Sequence, residues 1–167
     1  MTVEVRCASA RSRSFAHELA ADAERLQLAA GLARCELSLM LVGDRRIRAL
    51  NRDWRGKDEA TDVLSFSQLE DAGRITRAPD DPRAIAARDG APLGDVVISV
   101  DTAIRQAREL GIRPADRLRT LLIHGYLHLI GYDHERSPAE ARRMFARERV
   151  LARRIREETA RARPAAR

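Results

Sequence analysis

Three of the four histidines fall within eleven residues: His124, His128 and His134, in the run Leu122-Ile123-His124-Gly125-Tyr126-Leu127-His128-Leu129-Ile130-Gly131-Tyr132-Asp133-His134. His124 and His128 are four apart, which on a helix places both imidazoles on one face about one turn apart. Gly131 then lets the chain turn back, so that His134 can return as a third ligand. Three neutral ring nitrogens converging on one point suit a catalytic zinc ion, whose fourth position is left to water. The alternative is a pair of packed core histidines and a surface one. Apolar residues surround the motif, however, and three unpaired imidazoles there would be costly to bury.

A zinc ion held by three histidines is a Lewis acid and lowers the pKa of its water to about 7. Hydrolysis is the natural chemistry, but the motif alone does not name the bond. The spacing matches the His-x-x-x-His-x-x-Gly-x-x-His pattern of metzincin proteases, which place a glutamate general base directly after the first histidine. This chain has Gly125 there. Glycine cannot move a proton, so a protease working by that route is disfavoured.

The elements that must position the histidines can be read from periodicity and punctuation. Strands are expected at Val3–Cys7, Glu36–Val42, Asp62–Phe66 and Leu93–Ser99. Helical spacing runs from about Ser14 to Ala30 and stops at Gly31. Asp44 can cap a helix reaching about Trp54, and Asp101 can cap one ending near Leu110. Pro114 opens the histidine-bearing helix, which continues to Leu129. Ser137, Pro138 and Glu140 form a capping-box start for a last helix, expected to end near Glu158. Residues 68–92 carry Gly73, Pro79, Pro82, Gly90 and Pro92 and read as a surface insertion with a short helix around residues 83–88. The expected fold is α+β: a small, mostly four-stranded sheet packed against helices, with the metal site on a helix and the loop after it. Residues 1–158 form one domain, and 159–167 a disordered basic tail.

Composition sets outer bounds. A chain of 167 residues suits a single domain. No apolar stretch approaches a membrane span, and the N-terminus carries no apolar signal core, so the expected location is cytoplasmic, with no membrane partner. Cys7 and Cys35 fit no zinc spacing and read as small core hydrophobes. Net charge is +6, and residues 142–167 hold ten arginines against three glutamates, so the rest of the chain is close to neutral. That segment is either a phosphate-attracting arm or a solvated helix with a frayed tail.

Two further clusters stand out. Arg55, in a loop before a strand, can donate two hydrogen bonds to one phosphate; on its own it also reads as an ordinary solvated charge. Gly94-Asp95-Val96-Val97-Ile98-Ser99 is by itself only the start of a strand.

Taken together, three runs resemble the bacterial rRNA maturation factors, the YbeY-type metal-dependent endoribonucleases. They are Leu50-Asn51 through Arg55, Asp58 and Thr61-Asp62-Val63-Leu64-Ser65-Phe66; Gly94 to Ser99; and His124-Gly125-x-Leu127-His128-Leu129-x-Gly131-Tyr132-Asp133-His134. Glu140-Ala141, Met144 and Glu148 extend the resemblance. It implies one zinc ion held by His124, His128 and His134, and an important arginine at Arg55. It implies single-strand-specific RNA cleavage in 16S rRNA 3′-end maturation and ribosome quality control, with the 16S precursor and the small ribosomal subunit as partners. The alternatives are a ribosome assembly factor whose zinc is chiefly structural and a metalloprotease-like hydrolase. The insertion 68–92 is longer than many family members carry, and the tail after Glu158 has no strong family pattern.

Within that reading, Arg55 neutralises charge growing on phosphate oxygens. Asp133 either orients a histidine or water, caps a helix, or forms an exposed ion pair. His17 reads as a surface or packed residue and Tyr132 as core packing. Aromatic content of 4% disfavours an extensive stacking platform, so RNA binding should rest on arginine–phosphate contacts and weaken steeply with salt.

Overall fold

The computed structural model describes residues 3–69 and 90–162. The elements run β1 (Val3–Cys7), α1 (Ala10–Ala30), β2 (Glu36–Val42), α2 (Asp44–Arg55), β3 (Val63–Ser67), β4 (Pro92–Ser99), α3 (Val100–Leu110), α4 (Pro114–Leu129) and α5 (Pro138–Ala162). The fold is α+β, as expected. One four-stranded sheet has the order β1-β2-β4-β3; β1, β2 and β4 are parallel, and β3 pairs antiparallel with β4 at the edge.

Strand alternation divides the sheet into two faces. Leu37, Leu39 and Leu41 of β2 and Val96 and Ile98 of β4 face the main core, where Leu19, Ala23 and Leu26 of α1, Leu118 and Leu122 of α4, and Met144, Leu151 and Ile155 of α5 meet them. On the other face Val42, Ile47, Leu64 and Val97 form a smaller cluster under α2. Cys35 is buried and Cys7 half-buried, and neither is in a disulfide.

Two caps differ from expectation. Asp44 and Asp101 were each expected to cap their own helix, but the structure exchanges them. Asp101 Oδ2 accepts the backbone N–H of Asp44 at 3.1 Å, at the start of α2. Asp44 accepts from Ser99 Oγ (2.5 Å), Thr102 Oγ1 (2.7 Å) and Arg105 (2.7 Å), at the start of α3. The cap on α3 itself is Ser99, whose hydroxyl accepts from Thr102 N. The cause is tertiary: both helices start where the adjacent parallel strands β2 and β4 end, so Asp101 lies beside an unpaired N–H of α2, and Asp44 beside the first-turn side chains of α3.

The expected insertion is shorter at both ends. Gln68 donates its backbone N–H to Leu93 O, extending the sheet edge, Leu69 is buried, and Pro92 already belongs to β4. The helix expected at 83–88 lies outside the described residues. The last helix continues past Glu158 to Ala162, and residues 163–167 also lie outside. Among the described residues no helix is long and apolar enough to cross a membrane.

Candidate metal centre

Helix α4 lies between the sheet and the other core helices, and each end is tied down. Near its start, Arg119 donates to the buried Asp22 of α1 at 2.6 Å and to Asp116 at 3.0 Å. Along β3, Ser65 Oγ donates to Gly125 O (3.0 Å) and Ser67 Oγ to Leu129 O (2.9 Å). Ser65 belongs to the Thr61–Phe66 motif and Ser67 follows it directly, so this stretch docks a strand against the histidine helix.

Gly125 explains why the metzincin glutamate has no counterpart here. A Cβ at this position would stand 2.8 Å from Val96 Cγ1, 3.0 Å from Ser65 Oγ and 3.1 Å from Val63 Cγ2. The residue after the first histidine points into the sheet, where a glutamate has no room. The missing side chain is what allows α4 to lie this close to β3 and β4.

His124 and His128 share one face of α4, with their Nε2 atoms 3.1 Å apart. The helix ends in bonds from Gly131 N to His128 O and from Tyr132 N to Leu127 O. Gly131 has φ +96°, the left-handed region that glycine enters without steric cost. The chain reverses there and brings His134 back, so that one ligand atom from each ring lies within 4.8 Å of the others. The expected convergence of the three rings is present.

The electrostatics fit a cation. Burial first, then the neighbouring His124 and His134, push the His128 pKa down, which keeps its ring neutral and its lone pair available. His124 Nδ1 lies 2.6 Å from Glu148 Oε1 on α5. With Glu148 ionised, Nδ1 is the donor, which leaves Nε2 as an acceptor on the cluster side. His134 Nδ1 is buried without a hydrogen-bond partner, an arrangement that costs about 1–3 kcal/mol if nothing satisfies it. Two nitrogens on one tetrahedral zinc stand roughly 3.3 Å apart, close to the 3.1 Å between the two Nε2 atoms. The residues present therefore fit a divalent ion.

Glu148 was not expected to touch the cluster. A signal was available, however: it lies on the same helix face as the core residues Met144, Leu151 and Ile155, where an acid needs a reason to be. Asp133 has the local role left open by the sequence. It accepts from Glu135 N (2.9 Å) and pairs with Arg136 (3.2 Å), so it shapes the loop that carries His134.

The histidines line a cleft of about 550 Å³, and Trp54 and Arg55 from the end of α2, with Thr61 and Phe66, form another part of its wall. Arg55 is exposed at the end of α2, and no carboxylate pairs with it among the described residues. The loop after it is held by Arg48, bidentate to Asp58 at 2.9 Å, and by Asn51, which donates to Glu59 O at 2.9 Å. Asp62 accepts from Gln106 and Arg117 on α3 and α4. Asp95 lines a different concavity with Glu4, Arg6 and Gln68. His17 is exposed on α1, apart from the cleft. Tyr132 lines the cleft, half-buried, with the Arg143 guanidinium 5.7 Å above its ring.

Comparison with known proteins agrees with this architecture. The chain matches the family model described as Endoribonuclease YbeY over residues 4–156. A protein of that name from Anaeromyxobacter sp. strain Fw109-5 is 50% identical over 153 residues, covering 92% of this chain and 71% of the relative. One from Geobacter sulfurreducens is 50% identical over 131 residues, covering 77% and 79%. A Myxococcus xanthus relative is 47% identical over 149 residues, but the chain covers only 46% of its length. The solution structure of a Thermotoga maritima protein superposes with a TM-score of 0.61 over 99% of both chains at 22% identity, and so shares the fold. A family match running nearly from end to end, together with relatives at half identity, makes this chain a member of the Endoribonuclease YbeY family.

Proposed function

We propose that this chain is a zinc-dependent, single-strand-specific endoribonuclease acting in 16S rRNA 3′-end maturation and ribosome quality control. Its substrate is the 16S precursor, met on the small ribosomal subunit in the cytoplasm. The observation that carries this reading is the cleft itself, lined both by three clustered imidazoles and by an unpaired arginine. Relatives named as endoribonucleases supply the bond type.

His124, His128 and His134 would hold the ion, and bound there it supplies Lewis acidity to water or a phosphoryl oxygen at neutral pH. The chain's own groups do the rest. Glu148 fixes the His124 tautomer, and burial keeps His128 neutral. Arg55 can offer two parallel N–H donors to a phosphodiester and stabilise the charge that grows on its oxygens. The position next to His124 is closed to a general base by the contacts around Gly125, which disfavours the protease alternative.

The test is His128→Ala. The variant is expected to keep its circular dichroism spectrum, lose stoichiometric zinc and cleave no defined 16S precursor. Retained cleavage without zinc would overturn the metal mechanism, and casein turnover without RNA turnover by the wild type would favour a protease.

A further inference from the structure

Six large apolar side chains are exposed among the described residues: Leu28, Trp54, Leu110, Ile112, Phe145 and Val150. Only Trp54 also lines the cleft that holds the histidines. It is 72% exposed and is the single tryptophan of the chain. A lone exposed hydrophobe on an open surface needs no explanation. An indole at the mouth of a polar cleft, beside an unpaired guanidinium, is a different case.

Its placement is built. Trp54 sits in the last turn of α2, which Gly56 caps. Its ring meets Phe66 of β3 at a centroid distance of 6.0 Å and an interplanar angle of 65°, an edge contact that fixes the indole without covering it. Phe66 in turn packs on the cluster of Val42, Ile47, Leu64 and Val97 beneath α2. Arg55 follows directly in sequence and lines the same wall. An exposed π-face beside a free guanidinium offers a nucleotide its two requirements, a stacking surface for the base and donors for the phosphate.

We infer that Trp54 is a base-stacking subsite of the cleft: it holds one unpaired nucleobase of the RNA strand against its indole while Arg55 engages the neighbouring phosphate. The inference rests on the endoribonuclease reading and adds a source of single-strand preference. Only a base free of pairing can turn onto an indole, whereas a duplex keeps its bases stacked on one another. The low aromatic content that disfavours an extended platform leaves room for a subsite of one ring.

The sole tryptophan makes the test direct. Zinc-loaded wild type is titrated with a labelled 2′-O-methyl oligonucleotide of about eight nucleotides, and with an abasic strand of equal length and charge. Label anisotropy reports binding and intrinsic emission reports stacking. The base-bearing strand is expected to quench Trp54, and the abasic strand to bind more weakly without quenching. Trp54→Ala should raise KM for single-stranded RNA about 5- to 150-fold, with zinc content unchanged and a smaller effect on kcat, and Trp54→Phe should recover most of the loss. Binding without quenching, together with an unaltered KM for Trp54→Ala, overturns the subsite and leaves the nuclease reading standing. A wild type that neither binds nor cleaves RNA overturns both.

Discussion

The two walls of the cleft are built by different rules. On the histidine wall the helix that carries two of the rings is held on three sides: α4 is tied to α1 through Arg119 and Asp22, to β3 through Ser65 and Ser67, and to α5 through the His124–Glu148 bond. On the other wall Trp54 and Arg55 stand exposed at the end of a helix; the indole rests only by an edge contact on Phe66, and the loop that follows is held by Arg48–Asp58 and Asn51–Glu59. A metal centre needs ligands fixed before the ion arrives, because ligand geometry sets affinity and coordination. A wall that receives a flexible polyanion gains from unpaired donors that are not already committed to carboxylates. Rigidity and availability are thus separated across one cleft.

Substitutions on each wall should give opposite signatures. Arg55→Ala is expected to have the larger effect on turnover, a loss of about 10²–10³-fold, the scale found when one preorganised donor to a developing negative charge is removed. Its zinc affinity should stay at the wild-type value. Single-turnover cleavage of a defined precursor, with zinc measured by competition against a chromogenic chelator, separates the two quantities. Parallel loss of zinc and activity in Arg55→Ala would show that the walls are not independent.

Glu148→Ala should do the reverse. Without the carboxylate, the His124 tautomer is no longer fixed, and zinc affinity should fall by about 10–100-fold. Activity should return when zinc is raised in proportion. Glu148→Gln keeps an acceptor but not the charge and should fall between Glu148→Ala and the wild type. If added zinc leaves Glu148→Ala inactive, Glu148 does more than orient His124.

The same division explains what could be read from the chain. The histidine cluster was legible because it is local: a spacing of four on a helix, then a glycine that turns the backbone through a left-handed conformation. Glu148 lies 24 positions after His124, and nothing local states that α5 packs against that ring. Only its place among core-facing residues hinted at a partner. Asp101 serves α2 rather than its own helix because local capping rules see only the nearest helix in sequence, whereas the strand order brings Asp44 N to it from 57 residues away. Arg55 carried a functional reading through the resemblance of its motif rather than its local pattern, because free guanidinium groups and solvated ones look alike until a cleft encloses them. Trp54 gives no signal in the sequence, because average aromatic content cannot locate one ring.

The smallest expected effect concerns the surface beyond both walls. On α5, Arg142, Arg149 and Arg156 are exposed and pair with no carboxylate among the described residues. They are seven positions apart, so they share one helix face at intervals of about 10.5 Å. Other arginines of this helix are engaged: Arg143 over Tyr132, Arg153 with Glu157, Arg154 with Ala29 O and Arg161 with Glu158. If the stripe follows a single-stranded substrate, replacing all three with glutamine removes up to three phosphate contacts. The slope of log affinity against log salt should then become shallower by about 2, at roughly 0.7 per contact. Affinity should fall most at low salt, where counterion release contributes most, while zinc content and the maximal cleavage rate stay unchanged because no catalytic group has moved. An unchanged slope would mark the stripe as a solvated helix face and confine RNA recognition to the cleft.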